Sequence, residues 1–169
     1  MPSIGNKVLS SNMQIILVLE NIRSLHNIGA LWRSSDGAGS PQIILIGYTA
    51  TPPRREITKT ALWAEACVPW EYFLHIEDFF ANKQWEDSEI LALEEWYGGQ
   101  DIYEYQPKES TKTLYLIVGN EVEWVSEYAR TKSDGLIYLP MHGQKNSLNV
   151  SIAGSIALFH LSHIEHIDR

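Results

Sequence analysis

Five short runs of almost unbroken apolar residues constrain this chain most: 14–20 (QIILVLE), 42–47 (QIILIG), 89–96 (EILALEEW), 114–119 (LYLIVG) and 136–140 (LIYLP). Each is short and rich in Ile, Leu or Val, which suits a buried strand. None alternates apolar with polar residues, so no strand keeps one face in water. Helical spacing fills the intervals. From Asn27 to about Ala38, Ile28, Leu31 and Trp32 fall on one face, with Asn27 suited to cap the start and Gly37 or Gly39 to end it. Further helices are expected at Thr58–Ala66, 76–85, 122–129 and about 147–166, and one more strand at 70–74. Pro52 and Pro53 make 49–57 (TATPPRREI) a loop. Strands alternating with helices predict an α/β fold, a mostly parallel sheet with helices on both faces. No repeat or boundary divides the chain, so residues 1–169 read as a single domain.

Composition excludes several classes. With 44% hydrophobic residues and six Trp, the 169 residues can bury a core, so disorder is not the theme. No run approaches the roughly 18 apolar residues of a membrane helix. The start, MPSIGNKVLSSNMQ, lacks the pattern of a secretory signal. Cys67 is the only cysteine, which excludes an internal disulfide and a cysteine-cluster zinc site; it reads as a small buried apolar residue. A reducing cytoplasm is the expected compartment.

Thirteen basic against 21 acidic residues give a net charge of −8, unlike a general polyanion binder. The charge is uneven. Residues 71–109 hold eleven acids and two bases, while the flanking segments together are nearly neutral. The acidic middle reads as a solvated face, and a local cationic site elsewhere is compatible with the total.

Familiar motifs are absent. There is no Walker sequence and no nucleophile elbow. Gly37-Ala38-Gly39 lacks the third glycine of a dinucleotide fingerprint, Gln42 standing in its place, and follows a helix. His160, His163 and His166 drift around their helix and read as a polar face rather than metal ligands.

Three polar segments remain, each at a strand end or a helix start: Asn27-Ile-Gly-Ala-Leu-Trp-Arg33 continuing to Gly39, Gly119-Asn-Glu121, and Pro140-Met-His-Gly143 continuing through Lys145 and Ser147-Leu-Asn149-Val-Ser151. Singly, each has a structural explanation. Asn27, Ser147 and Asn149 suit helix caps, Arg33 suits solvation or a pair with Asp36, and Glu121 suits a first helical turn. Together, in this order and spacing, they resemble the three motifs of the SpoU/TrmH family of RNA ribose 2′-O-methyltransferases, within the SPOUT superfamily. The patterns are N-x-G-x-x-x-R, G-N-E and P-M-x-G-x-x-x-S-L-N-V-S, and the likeness runs from about Gln14 to Leu161.

That resemblance implies an α/β-knot whose C-terminal segment threads a deep trefoil, a chain path general topology rules would exclude. It implies a homodimer packed through the last helix, S-adenosylmethionine as methyl donor and no metal. The donor would lie along Leu93, Gly119, Leu139, Met141, Gly143 and Leu148. The catalytic set would be Arg33, Asn27, Glu121, Ser147 and Asn149, with Asn27 orienting Arg33. A guanidinium is normally charged, so two roles for Arg33 stay open: transient loss of its proton, or a grip on substrate phosphate while another group takes the proton. Candidate RNA contacts are Arg23, His26, Arg54, Arg55, Lys59 and Lys145. The small architecture resembles minimal tRNA enzymes, so tRNA is expected ahead of rRNA; a silent RNA-binding dimer is the reading from another class. One departure stands out. Trp124 occupies a position where the family commonly has glycine, and it is expected to alter the pocket rim or the dimer contact. Trp32 is expected to fill core, and Trp63 also stands where a smaller residue is usual.

Overall fold

The structure is a computed structural model and describes residues 13–82, 86–95 and 98–164. Its elements are β1 (Gln14–Glu20), α1 (Leu25–Gly37), β2 (Ile43–Ile46), α2 (Arg55–Ala61), α3 (Ala64–Cys67), β3 (Trp70–Phe73), α4 (Ile76–Asn82), β4 (Ser88–Glu94), β5 (Gln100–Asp101), β6 (Thr113–Val118), α5 (Glu127–Lys132), β7 (Gly135–Tyr138) and α6 (Val150–Ser162). Seven strands form one sheet in the order β3-β2-β1-β6-β4-β7-β5. Every neighbouring pair is parallel.

The apolar runs explain why both faces are covered. Along β1, Ile15, Leu17 and Leu19 point into a core shared with α1, α2, α3 and α6. Ile16 and Val18 point the other way, toward Phe79 of α4 and Ala129 of α5. A strand buried on both faces has no polar alternation to show. Fully buried Trp32 fills core, as expected, and its Nε1 donates to the Val68 carbonyl at 3.2 Å, tying α1 to the end of α3. Among the described residues no helix is long and apolar enough to cross a membrane.

Several boundaries differ from the sequence reading, each for a local reason. Helix α1 starts earlier because Ser24 is the cap; its Oγ accepts the Asn27 amide at 3.3 Å, an interaction worth about 1 kcal/mol. Asn27 therefore sits inside the first turn with its side chain free for other use. The expected helix at 58–66 is two pieces. Leu62 and Trp63 both adopt left-handed backbone, at φ 50° and 76°. This turn keeps Ala61 and Ala64 in the core and leaves Trp63 74% exposed. Cys67 is exposed, not buried as its residue type suggested, because it closes the short α3 on the outer side. The expected helix at 122–129 begins only at Glu127. Asn120 Oδ1 accepts the amides of Val122 and Glu123, at 2.9 and 2.8 Å, which folds a turn, and Ser126 then caps α5. Residues 147–149 precede α6 rather than belonging to it, and Asn149 is its cap. The expected end at His166 lies outside the described residues. Strand β5 was not foreseen.

Glycine matters at two close approaches. A Cβ on Gly29 would sit 1.9 Å from Thr60 Oγ1 and 2.5 Å from the Ile57 carbonyl oxygen, so α1 and α2 pack this tightly only with glycine there. A Cβ on Gly119 would lie 2.1 Å from the Trp124 carbonyl. The 120–124 turn therefore folds straight back over the end of β6.

Candidate active site

Parallel strands deliver their following loops to one edge, and ligands in such sheets bind there, where neighbouring connections diverge. Here β1 and β6 lie side by side, yet β1 leads to α1 on one face and β6 to α5 on the other. The three motif segments meet at this edge. Asn27 Nδ2 donates to Glu121 Oε1 at 2.6 Å. Asn27 Oδ1 accepts from Asn149 Nδ2 at 3.3 Å. Asn149 Oδ1 in turn accepts the amide and hydroxyl of Ser151, at 2.9 and 2.6 Å, which starts α6. One Asn side chain thus ties the first motif to the second and third, across 94 and 122 residues of sequence. No first-turn role for Glu121 survives this, since it lies before α5.

Beside this chain of bonds opens a cleft. Leu93, Val118, Leu139 and Leu148 give it apolar walls, with Gly119 backbone at the end of β6. Met141 and Ser147 also line it. Five of the six residues expected to hold a donor therefore share this cleft. The sixth, Gly143, is exposed and is not among its lining residues. Glu94, Glu95, Asn120, Asn146 and Trp124 line it as well and were not assigned to it from sequence, apart from Trp124 as a rim residue. Trp124 holds φ 59°, in the left-handed region where glycine is at ease and a bulky residue costs about 1–2 kcal/mol. An indole stands on the cleft wall in backbone suited to glycine.

Two carboxylates at strand ends hold the backbone leading into α5. Glu20, at the end of β1, accepts the Ser126 amide at 2.9 Å, and Glu94 accepts the Val125 amide at 2.9 Å. Burial pushes both carboxyls above the ordinary range, outweighing those hydrogen bonds.

Arg33 lies on α1, exposed. Among the described residues it makes no ion pair, with Asp36 or any other, so of the two structural readings the solvated one agrees. Nor is there a hydrogen bond between Asn27 and Arg33; the Asn27 amide is spent on Glu121 and Asn149. The expected RNA contacts scatter along the same edge and around it. Arg23 donates through Nε to the Tyr48 hydroxyl at 3.3 Å. His26 is exposed, its carbonyl accepting from Thr60 at 3.2 Å. Arg54 and Arg55 enter α2, Lys59 sits in its last turn, and Lys145 is exposed in the loop before α6. His160 meets the Ile102 carbonyl at 3.1 Å and His163 the Phe159 carbonyl at 2.7 Å; His166 lies outside the described residues.

Known proteins place this arrangement. The model of the SpoU rRNA Methylase family matches residues 14–159. The 23S rRNA (guanosine-2'-O-)-methyltransferase RlmB of Escherichia coli (strain K12) is 30% identical over 152 residues, 90% of this chain and 61% of that protein. The protein of the same name from Vibrio vulnificus (strain CMCP6) is 28% identical over 145 residues, 86% of this chain and 57% of its own. The chain thus spans about three fifths of the length of these relatives. The AdoMet-bound rRNA methyltransferase of Sinorhizobium meliloti superposes with a TM-score of 0.80 at 26% identity, covering 87% of this chain and 55% of that one. The parallel sheet, the meeting of the three motifs at its carboxyl edge and the match over residues 14–159 agree: this chain belongs to the SpoU rRNA Methylase family.

Proposed function

We propose that this protein transfers a methyl group from S-adenosylmethionine to a ribose 2′-hydroxyl of ribosomal RNA. The observation that carries this is the Glu121–Asn27–Asn149 chain of hydrogen bonds at the mouth of the cleft. The names of the curated relatives favour rRNA, which reverses the order of substrates expected from the sequence.

The cleft fits the donor chemically. Its apolar walls suit an adenine ring, and strand-end backbone at Gly119 can meet the ring's polar edge. Glu94, Glu95 and Glu121 line it without a lysine or arginine among the described lining residues, which suits a ligand carrying a sulfonium and an ammonium. Leu93, Gly119, Leu139, Met141 and Leu148 would hold it. When bound, it supplies an already activated methyl group, so the protein need only orient, desolvate and accept a proton. Asn27 fixes the Glu121 carboxylate and the start of α6 relative to each other. Arg33, exposed and unpaired among the described residues, grips the substrate's ribose-phosphate. Ser147 and Asn149 complete the wall facing the ribose. The hydroxyl's proton leaves to this polar cluster, where Glu121 is the oriented carboxylate.

The remaining features follow the family resemblance. The protein works as a homodimer in the cytoplasm, and its C-terminal segment threads a trefoil knot. Ile152, Ile156 and Phe159 form an exposed apolar stripe on α6, which supports a second copy there.

Labelled S-adenosylmethionine offered with ribosomal RNA and, separately, small RNA tests the reading, with Arg33→Ala as control. Label in rRNA from the unaltered protein only, in a nucleotide resistant to alkaline cleavage at its 3′ phosphate, is expected. Label in small RNA alone would restore the tRNA substrate. No label, together with no binding of S-adenosylhomocysteine, would overturn the enzyme reading.

A further inference from the structure

Away from the cleft, a shallow, open groove runs between the loop after β2 and the edge strand β3. Tyr48, Trp70 and Tyr72 line it, with Thr51 and Arg54. The three aromatics are 49%, 39% and 39% exposed. Trp70 and Tyr72 share one face of β3, since they pair in register with Ile43 and Leu45, which point to the α1 side. A solvent-facing cluster of three large rings needs a reason, because such surface is costly to leave in water.

Two of the rings are fixed in place. Tyr72 donates its hydroxyl to the Gly47 carbonyl at 2.8 Å. Tyr48 accepts from Arg23 Nε and from Asn120 Nδ2, at 3.3 and 3.2 Å, and the Arg23 guanidinium lies 5.5 Å from its ring centre. The hydroxyls are thus spent within the protein, and Arg23 covers the Tyr48 ring, while Trp70 and Tyr72 keep exposed ring surface. Cation and ring are already paired at Arg23, and Arg54 brings a second guanidinium to the groove itself. A hydrogen bond links the groove to the active site, because the Tyr48 hydroxyl accepts from Asn120, which lines the cleft and precedes Glu121.

We propose that this groove is a second RNA subsite, taking one or two unpaired nucleotides of the substrate by stacking their bases on Tyr72 and Trp70 while Arg54 meets the phosphate. The inference rests on the RNA-methyltransferase reading above. Stacking on aromatic rings tolerates any base, and arginine tracks the backbone, so the groove grips single strands without reading sequence. A duplex hides its ring faces and cannot use it. On a protein of net charge −8 such a subsite supplies affinity that overall electrostatics do not.

The test uses the full chain and a fluorescein-labelled RNA of about 12 unpaired nucleotides, longer than the groove alone can hold and within the range that single-strand binding folds occupy. Its duplex and an abasic strand of equal length serve as comparisons. Trp70→Ala with Tyr72→Ala is expected to weaken binding of the unpaired strand by about 100-fold and to leave the abasic strand within about twofold. Tyr72→Phe alone keeps the ring and is expected to keep affinity, which separates stacking from damage to the fold. Arg54→Ala is expected to lower the slope of log affinity against log salt by about 1. Equal losses for the unpaired and abasic strands, affinity within about twofold of the unaltered protein for the double variant, or no binding of unpaired RNA by the unaltered protein would each overturn the proposal. S-adenosylhomocysteine binding is measured in parallel. If the unaltered protein fails to bind it while the unpaired RNA still depends on Trp70 and Tyr72, the methyl-transfer reading falls and the groove stands.

Discussion

Strand β4 carries a buried carboxylate near its start, Glu89, and a half-buried one at its end, Glu94, and the molecule treats them differently. At the amino edge, Glu89 receives the Tyr105 hydroxyl, the Thr111 hydroxyl and the Lys108 amide. Burial alone would raise its carboxyl, but these donors outweigh it and hold Glu89 below the ordinary carboxylate value of 4.5. Burial, and next the bond to Glu89, push the Tyr105 hydroxyl far up. At the carboxyl edge, Glu94 has the Val125 amide and Glu20 has Ser126, and burial wins in both. One edge has saturated its polar groups and the other holds them in reserve. The amino edge is built to hold the sheet together, and the carboxyl edge to meet a ligand.

If the division is real, substitutions at the two edges should fail in different ways. Arg33→Ala should cut turnover by about a thousandfold while leaving S-adenosylhomocysteine affinity within about twofold, measured by single-turnover transfer and calorimetry. Equal losses in both would move Arg33 from the substrate side to the donor side. Glu89→Leu should do the reverse. It strands three donors, lowers the unfolding free energy in urea by about 3 kcal/mol or more, and leaves cofactor affinity per folded molecule unchanged.

Acid should separate the edges too. Glu89 has a depressed folded value, so its contribution is fully present above the ordinary Glu value of 4.5 and is lost as pH falls through the folded value. Glu20 and Glu94 have raised folded values, so theirs is present in acid and lost as pH rises through those values. Glu89→Gln should therefore flatten the fall of stability below pH 4.5, followed by urea midpoints across pH. An unchanged acid limb would remove Glu89 from the account. Glu121→Gln keeps an acceptor for Asn27 but not the charge, and should slow transfer by about 10- to 100-fold with unfolding unaffected. The smallest effect is expected at Trp124→Gly. Relief of left-handed strain, about 1 kcal/mol, should offset the lost indole contact, so stability stays within about 1 kcal/mol while donor affinity shifts.

Much of the sheet was legible because strands buried on both faces must be apolar throughout, and 14–20 or 114–119 admit no other use. β5 was not, since Gln100–Asp101 has no apolar signal and exists only by pairing with Ile137 and Tyr138. The broken helix at Leu62–Trp63 and the late start of α5 depend on left-handed residues and an Asn turn, which helical periodicity does not register. In the site, the motif residues were legible as polar segments at strand ends. The bonds among them were not. Asn27 read as a cap until Ser24 took that work, and its assigned partner Arg33 gave way to Glu121 and Asn149. Tyr48 gave no signal, because its significance lies in Asn120, 72 residues away.

The pairing of β1 with β6 also bears on how the chain is made. Gln14 lies against Thr113 and Leu19 against Val118, while the other side of β1 takes β2 early, with Leu17 against Ile43. As the chain leaves the ribosome, β1 to β3 and their helices can assemble first. The β6 flank of β1 must then wait for nearly a hundred residues, roughly 5–20 s at ordinary synthesis rates. During that interval a strand of Ile, Leu and Val presents open backbone to any other strand in reach. Nascent chains of this protein should need a chaperone's cover until residue 118 has emerged, and truncations ending before β6 should aggregate rather than persist as a smaller fold.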